Sequence, residues 1–395
     1  MEAINKKLEP TKQSERYVEL DVLRGIALFG ILVVNMKYFS TPALYMDMLG
    51  ITAWQNETNK IIDLFIKLVF EFKFVSMFSF LFGIGVAVFI SRVKQKGLCA
   101  KRLMKRRLTF LLLIGLFHLF FIWYGDILTL YALVGFLLLY FIKKRQSSML
   151  IWSFVLLTIP AVIISMVLLF GLNMNSAFKH QIEVIMHKSS YTYSEGTLSE
   201  VFLQRLVDIL FIYQGYVLMV PVVLGLFLLG VYSWKSGLIE NRVHRREKII
   251  KIRNVCFVIG LPFLMLMLWA NLKGGEGSIP YYMLSLLGHS VSGPALALFY
   301  ISSVCLFMQR SNWQKRSVFL QKVGRMAFTN YLLQSFICTT IFYSYGFGLF
   351  GEINELQGFL LAVVIFFFQI LFSHYWLKTH SMGPMETVWR KITYK

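Results

Sequence analysis

The first residues whose types and spacing suit chemistry are Asp21, Arg24 and Asn35, set into the apolar run ELDVLRGIALFGILVVNMKY (19–38). Arg24 precedes Asn35 by eleven positions, and eleven steps of about 100° return a helix to nearly the same face. Asp21, Gly25 and Leu28 share that stripe. At ~1.5 Å per residue, Arg24 and Asn35 stand roughly 16 Å apart along the axis. An ion pair near one membrane surface and an amide near the other make this face a candidate wall of a polar path, because polar groups in a span usually face the protein interior or a cavity.

Further along, His118 lies in LLLIGLFHLFFIW, Asp126 in WYGD, Gln214 in FIYQGY and His289 in LLGHSVSG. No Lys or Arg lies within six residues of His118. A neutral imidazole is the form a general base needs, and a carboxylate can orient it. Asp126 also reads as an N-cap, accepting from the free N–H groups at the start of the next helix. A lone intramembrane His is as often a helix–helix hydrogen bond. Gly288, Ser290, Ser292 and Gly293 around His289 point to close helix packing. A second polar set comprises Asp21, Arg24, Arg107, Gly324, Arg325, Asn330, His374 and Glu386.

The elements that must position these groups are membrane spans. The 395 residues are 57% hydrophobic with a mean hydropathy of +0.63 and only 15% charged, too apolar for the surface of a soluble protein. The expected fold is all-α, a polytopic bundle of ten spans near 20–38, 73–91, 108–124, 127–142, 149–172, 211–233, 254–271, 284–308, 327–345 and 357–376. Basic stretches follow the second, fourth, sixth and eighth runs (RVKQKGLCAKRLMKRR, KKR, KSGLIENRVHRREKIIKIR and RSNWQKRSVFLQKVGR), while the other connections are poor in Lys and Arg. The positive-inside rule then places both termini in the cytosol. His118, Asp126, Asn35, Gln214 and His289 fall on the outer side, and the second set on the inner. Residues 1–18 are expected as a cytosolic tail, 19–376 as one transmembrane domain and 377–395 as a cytosolic C-terminal tail.

The formal charge of +20 is explained by those loops, so nucleic acid is not an expected partner; the bilayer is. In ETNKIIDLFIKLVFEF (57–72), Asp63, Lys67 and Glu71 recur every four residues, predicting an amphipathic helix at the outer interface with one charged face. Residues 173–203 read as an external cap of short helix and loop. The four Cys show no CxxC spacing, and neither a disulfide nor a metal site is expected. No nucleotide-binding or hydrolase motif stands in a suitable context. A homodimer is compatible with the apolar surface.

Four stretches, YVELDVLRGIALFGILVVN (17–35), RRLTFLLLIGLFHLFFIWYGDILTLYALVG (106–135), GRMAFTNYLLQSFICTTIFYSYGFGLFG (324–351) and GPMETVWR (383–390), resemble the YeiB-like family of bacterial membrane proteins, a family of unsettled function. The first is also similar to the opening of heparan-alpha-glucosaminide N-acetyltransferases and, more loosely, of other transmembrane acyltransferases. That resemblance implies a multi-pass plasma-membrane protein that passes an acyl group from cytosolic acyl-CoA, acetyl-CoA in the first instance, to a small-molecule or glycan acceptor outside. Arg24, Asp21, Arg107 and Arg325 would then serve the donor. His118 would act as base, or briefly carry the acyl group, with Asp126 orienting it. Asn35 would hold the carbonyl, and His289 completes the candidate catalytic set. The His that follows the first motif in those acetyltransferases has no counterpart in 36–60, which leaves its role to another helix. The alternative from the same residues is a proton-coupled transporter of a small solute, with His118 and Asp126 as proton carriers.

Overall fold

A computed structural model describes residues 17–54, 56–170, 176–239, 244–273 and 279–394; the expected tail 1–18 lies outside these apart from its last two positions. All regular structure among the described residues is helical. In chain order the helices are α1 (Val18–Ser40), α2 (Ala43–Leu49), α3 (Glu57–Val69), α4 (Lys73–Gln95), α5 (Ala100–Phe117), a π turn (His118–Ile122), α6 (Leu128–Phe141), α7 (Gln146–Leu169), α8 (Ser176–Glu195) and α9 (Leu198–Lys235). They continue as α10 (Arg246–Lys273), α11 (Ile279–Phe307), α12 (Ser311–Arg316), α13 (Val318–Arg325), α14 (Ala327–Phe342), α15 (Glu355–Thr379) and α16 (Pro384–Tyr394). Each of the ten apolar runs falls on its own helix. Six segments of the described chain are long and apolar enough to cross a membrane, namely α3 with α4, then α7, α9, α10, α11 and α15. Of the other runs, α6 and α14 are short, with 14 and 16 residues.

Local sequence explains where the helices begin. Thr197 and Glu200 form a reciprocal capping box at α9, as do Asn354 and Gln357 at α15. Each pair satisfies two N–H groups that the first turn would leave unpaired. Glu386 performs the equivalent service across space. Its carboxylate accepts from the backbone N–H groups of Phe328 and Thr329 at 2.8 and 3.2 Å and from Thr329 Oγ1 at 2.6 Å. Burial pushes this carboxyl above its ordinary range, and those same hydrogen bonds pull back against the rise. The segment expected as a C-terminal tail thus contains a helix, α16, docked on the start of α14. Glu386→Ala should lower stability by about 1–2 kcal/mol, the value of a lost N-cap, whereas Glu386→Gln, which keeps an acceptor, should lose less than half of that. Thermal unfolding in detergent measures the difference.

Two crossings bring helix backbones together. An added Cβ on Gly324 would sit 1.8 Å from the Asp21 carbonyl oxygen, and one on Gly25 2.3 Å from that of Leu320, so α1 and α13 touch through bare backbone. Gly83 and Gly230 do the same for α4 and α9, each 2.2 Å from a carbonyl of the facing helix. Small residues allow this approach where bilayer lipid offers no hydrophobic drive between helices. Above the first crossing, amides link α14 and α15. Gln334 Nε2 donates to Gln369 Oε1 at 2.9 Å, Gln369 Nε2 to the Asn330 carbonyl at 2.8 Å, and Asn330 Nδ2 to Ser373 Oγ at 2.9 Å.

Helix α3 differs from its expected setting. Ile61 and Phe65 face outward, while Lys67 and Asp63, 2.8 Å apart, face inward. Lys67 reaches Asn271 of α10 at 3.2 Å, and Asn59 Oδ1 accepts from the Leu356 N–H of α15. The charged face is turned toward protein rather than water. Glu71 lies beyond the end of α3, in the turn before α4, yet it borders the same cavity as Asp63 and Lys67.

Candidate functional site

Helix α5 does not end in a regular turn. His118–Ile122 widen into a π turn that closes with the Trp123 N–H on the His118 carbonyl at 2.8 Å. Such turns recur at functional sites because they re-aim side chains and carbonyls. The chain then reverses at once into α6. The reversal is tight because Gly115 lets the backbone of Thr129 approach; a Cβ there would meet Thr129 N at 2.6 Å. Asp126 caps α6, its Oδ2 accepting from Thr129 N–H at 2.7 Å. Its other oxygen, Oδ1, lies 2.9 Å from His118 Nδ1, with both side chains fully buried.

Two further helices clamp this turn. Tyr216 of α9 donates to the Asp126 carbonyl at 2.6 Å. Tyr331 of α14 accepts from the Ile127 N–H at 3.3 Å, and its ring lies 5.4 Å from that of His118. A carboxylate at Nδ1 favours the tautomer that carries its proton there and leaves a lone pair on Nε2. The His118–Asp126 contact is one of charge proximity rather than a hydrogen bond of regular geometry: His118 Nδ1 and Nε2 and the facing Asp126 Oδ1 are all buried with no hydrogen-bond partner, as are Trp123 Nε1 and Thr129 Oγ1. Unpaired buried polar atoms are costly, and five of them gathered at one imidazole–carboxylate contact mark the turn as more than a connection.

The turn is also tied to the end of α1. Phe39 stacks on Trp123 with centroids 3.9 Å apart, and Tyr124 donates to the Tyr38 carbonyl at 3.1 Å. Asn35, one turn before Phe39, is half-buried and gives no hydrogen bond to His118 or Asp126. The stripe that carries it is a packing seam at its inner half, where Gly25 and Asp21 meet α13, rather than an open wall. Gln214 is exposed and joins neither His.

His289 belongs to a different neighbourhood. Its Nε2 is 3.5 Å from Glu71 Oε2, and its ring stacks on Phe72 at 5.0 Å. Phe72 is the one non-glycine among the described residues with positive φ, 61°, a strained value for a bulky side chain. Near by, Lys37 pairs with Asp47 at 2.7 Å, Tyr38 donates to Asp47 at 2.7 Å, and buried Lys73 donates to the Lys67 carbonyl at 2.7 Å. Lys37, Asp63, Lys67, Glu71 and Glu355 border a cavity of about 40 Å³, room for a water or two.

At the opposite end of α5, Arg24 and Asp21 form the expected pair at 2.7 Å. Arg107 lies close enough to Arg24 to feel its charge. The Arg107 guanidinium is covered by the ring of Trp389, 3.8 Å away, whose Nε1 donates to the Arg107 carbonyl at 2.9 Å. Arg325 donates to the Ser381 carbonyl at 3.0 Å. Arg24 and Arg107 are thus gathered at one end, while Arg325 holds the segment leading into α16.

Tyr216 and Tyr331 escape a sequence reading because tyrosines near membrane surfaces are commonplace. Arg205 and Asp208 escape it because they precede the apolar run that opens at 211. Asp208 accepts from Tyr45 at 2.5 Å, from Gln204 at 2.9 Å and from Tyr193, fastening α2 and α8 to α9.

Across nearly their whole lengths, 98% of this chain and 96% of the other, the sequence is 35% identical to the "Uncharacterized protein YxaH" of Bacillus subtilis. The chain belongs to the YeiB-like family. The "Uncharacterized protein YeiB" of Escherichia coli is 29% identical over 96% of each chain. Residues 233–395 match the family model described as "Protein of unknown function (DUF418)". No solved structure matches. The relatives' names assign no activity, so the chemistry has to be argued from the His118 turn.

Proposed function

We propose that this YeiB-like protein is a membrane acyltransferase of the plasma membrane. It would take an acyl group from acyl-CoA at the basic end of the bundle, with both termini on that cytosolic side, and pass it to an acceptor at the other end. The observation that carries the reading is the buried His118–Asp126 pair with a free Nε2. His118 Nε2 takes the proton from the acceptor's O–H or N–H as that atom attacks the thioester carbonyl. The C–S bond breaks, and the imidazolium returns the proton to the leaving thiolate. Asp126 holds the ring and offsets its transient charge. Tyr331, adjacent to the imidazole and still in possession of its own O–H, is better placed than Asn35 to meet a developing oxyanion. Arg24 and Arg107 supply positive charge for the CoA phosphates.

Addition of acetyl-CoA to the detergent-solubilised protein should raise its midpoint of thermal unfolding by several degrees, as binding to the native state alone requires. Dephosphorylated pantetheine should do so less, and Arg24→Gln should remove the difference. No shift with any CoA thioester would take the donor away from this reading.

Proton-coupled transport of a small solute has support of its own in the charged cavity beside Glu71 and His289, where buried ionisable groups at membrane depth suit a proton relay. Under that reading, substrate-dependent proton flux in liposomes falls in Glu71→Gln, and CoA has no effect on stability.

A further inference from the structure

On the outward flank of the π turn lies a groove of about 350 Å³ whose walls include Phe121, Phe202, Phe336 and Leu198, with Arg205 among its lining residues. Three of those apolar side chains, Phe121, Phe336 and Leu198, are 60–69% exposed. Arg205 is only 3% exposed. One of its terminal nitrogens donates to the Phe120 carbonyl at 3.1 Å, and its Nε is buried without a hydrogen-bond partner. Among the described residues no carboxylate is within ion-pair distance of it. Asp208, one turn on, is occupied by Tyr45, Tyr193 and Gln204. Asp208 is near enough for the two charges to be felt but forms no direct ion pair with Arg205, and a buried guanidinium without a direct counter-charge is costly; an anion in the groove would offset that cost.

The depth of Arg205 decides what the anion belongs to. Helix α9 has 38 residues, roughly 57 Å at ~1.5 Å each, far longer than the ~30 Å hydrocarbon layer. Its apolar run opens at residue 211, so Arg205 stands about 9 Å beyond that point, at the level of lipid headgroups. A charged headgroup level with Arg205 leaves its chains free to lie along exposed Phe336, in the middle of α14.

We propose that Arg205 and this groove bind the phosphate of an anionic membrane phospholipid, admitted sideways from the bilayer. The groove is lined by Phe121 and Ile122 of the same π turn that carries His118. That the bound lipid presents the acyl acceptor rests on the acyl-transfer reading; the binding itself does not.

Native mass spectrometry of the full-length protein, exchanged into micelles doped with dioleoyl phosphatidylglycerol or dioleoyl phosphatidylcholine, tests the site. Wild type should retain one phosphatidylglycerol in preference to phosphatidylcholine, and Arg205→Gln should lose that preference by tenfold or more. Phe336→Ser, at an exposed wall position that leaves Arg205 in place, should weaken retention several-fold without lowering thermal stability. Inorganic phosphate at millimolar concentration should not displace the lipid. Equal retention of both lipids by wild type, unchanged preference in Arg205→Gln, or full displacement by inorganic phosphate would overturn the proposal. If lipid selectivity is lost in Arg205→Gln while wild type transfers no acyl group to any acceptor, the lipid site stands and the acyltransferase reading alone falls.

Discussion

His118→Asn is expected to lower acyl transfer by about 10²- to 10⁴-fold, the range supplied by a positioned general base, with little change in the concentration of acyl-CoA needed for half-maximal rate. Asn keeps a polar group in the buried space but has no nitrogen that can take up and return a proton. Asp126→Asn gives the sharper comparison. Asn is as good an N-cap as Asp, so the bond to Thr129 N–H survives and the turn stays closed. What disappears is the charge 2.9 Å from Nδ1. If the pair acts chemically, Asp126→Asn loses activity with its unfolding temperature nearly unchanged. A variant that unfolds earlier in proportion to its lost rate would assign both residues to structure alone. Steady-state rates with a radiolabelled acyl donor, read beside thermal melts of the same preparations, separate the two outcomes.

The second large effect concerns stability. Gly83→Ala and Gly230→Ala each force a Cβ to within 2.2 Å of a facing carbonyl oxygen. Neither clash is with the end of a flexible side chain, so two helices must move apart. Overpacking of this kind costs about 1–3 kcal/mol and at times more, a large share of a typical 5–15 kcal/mol. The same substitution at Gly215, also in α9 and with nothing near its added Cβ, should be neutral or stabilise by up to about 1 kcal/mol, because Ala is the better helix former. Fluorescence-detected size-exclusion after heating ranks the three. Equal losses at all three positions would mean that helix propensity, not the crossing, sets the result.

The fold and the site were legible to different depths. Apolar runs are long-range signals: each of the ten fell on a helix, and six segments among the described residues are long and apolar enough to cross a membrane, where main-chain polar groups have few other ways to be satisfied. The Asp21–Arg24 pair follows from helical spacing alone. His118 and Asp126 are eight residues apart with an irregular turn between them, so their contact needed both the π geometry and Gly115, which no periodicity reveals. His289 stood at a similar expected depth but on another flank, where Glu71 and Phe72 receive it. Depth is a one-dimensional coordinate; position around the bundle is set by packing against neighbours, and Gly83, Gly230 and Gly324 decide that only in three dimensions. The amphipathic pattern of 57–69 was real, yet its sense was reversed, because Asn271 and Leu356 provide partners that composition does not announce.

That reversal bears on how the protein is made. Asn271 follows Lys67 by 204 positions and Leu356 follows Asn59 by 297, so both partners leave the ribosome long after α3 does. Until they arrive, Asp63 and Lys67 keep their water only if the segment lies flat on the bilayer. It can roll its charges inward once α10 and α15 have been inserted. Final docking of this early helix therefore has to wait for partners that are translated more than two hundred residues later.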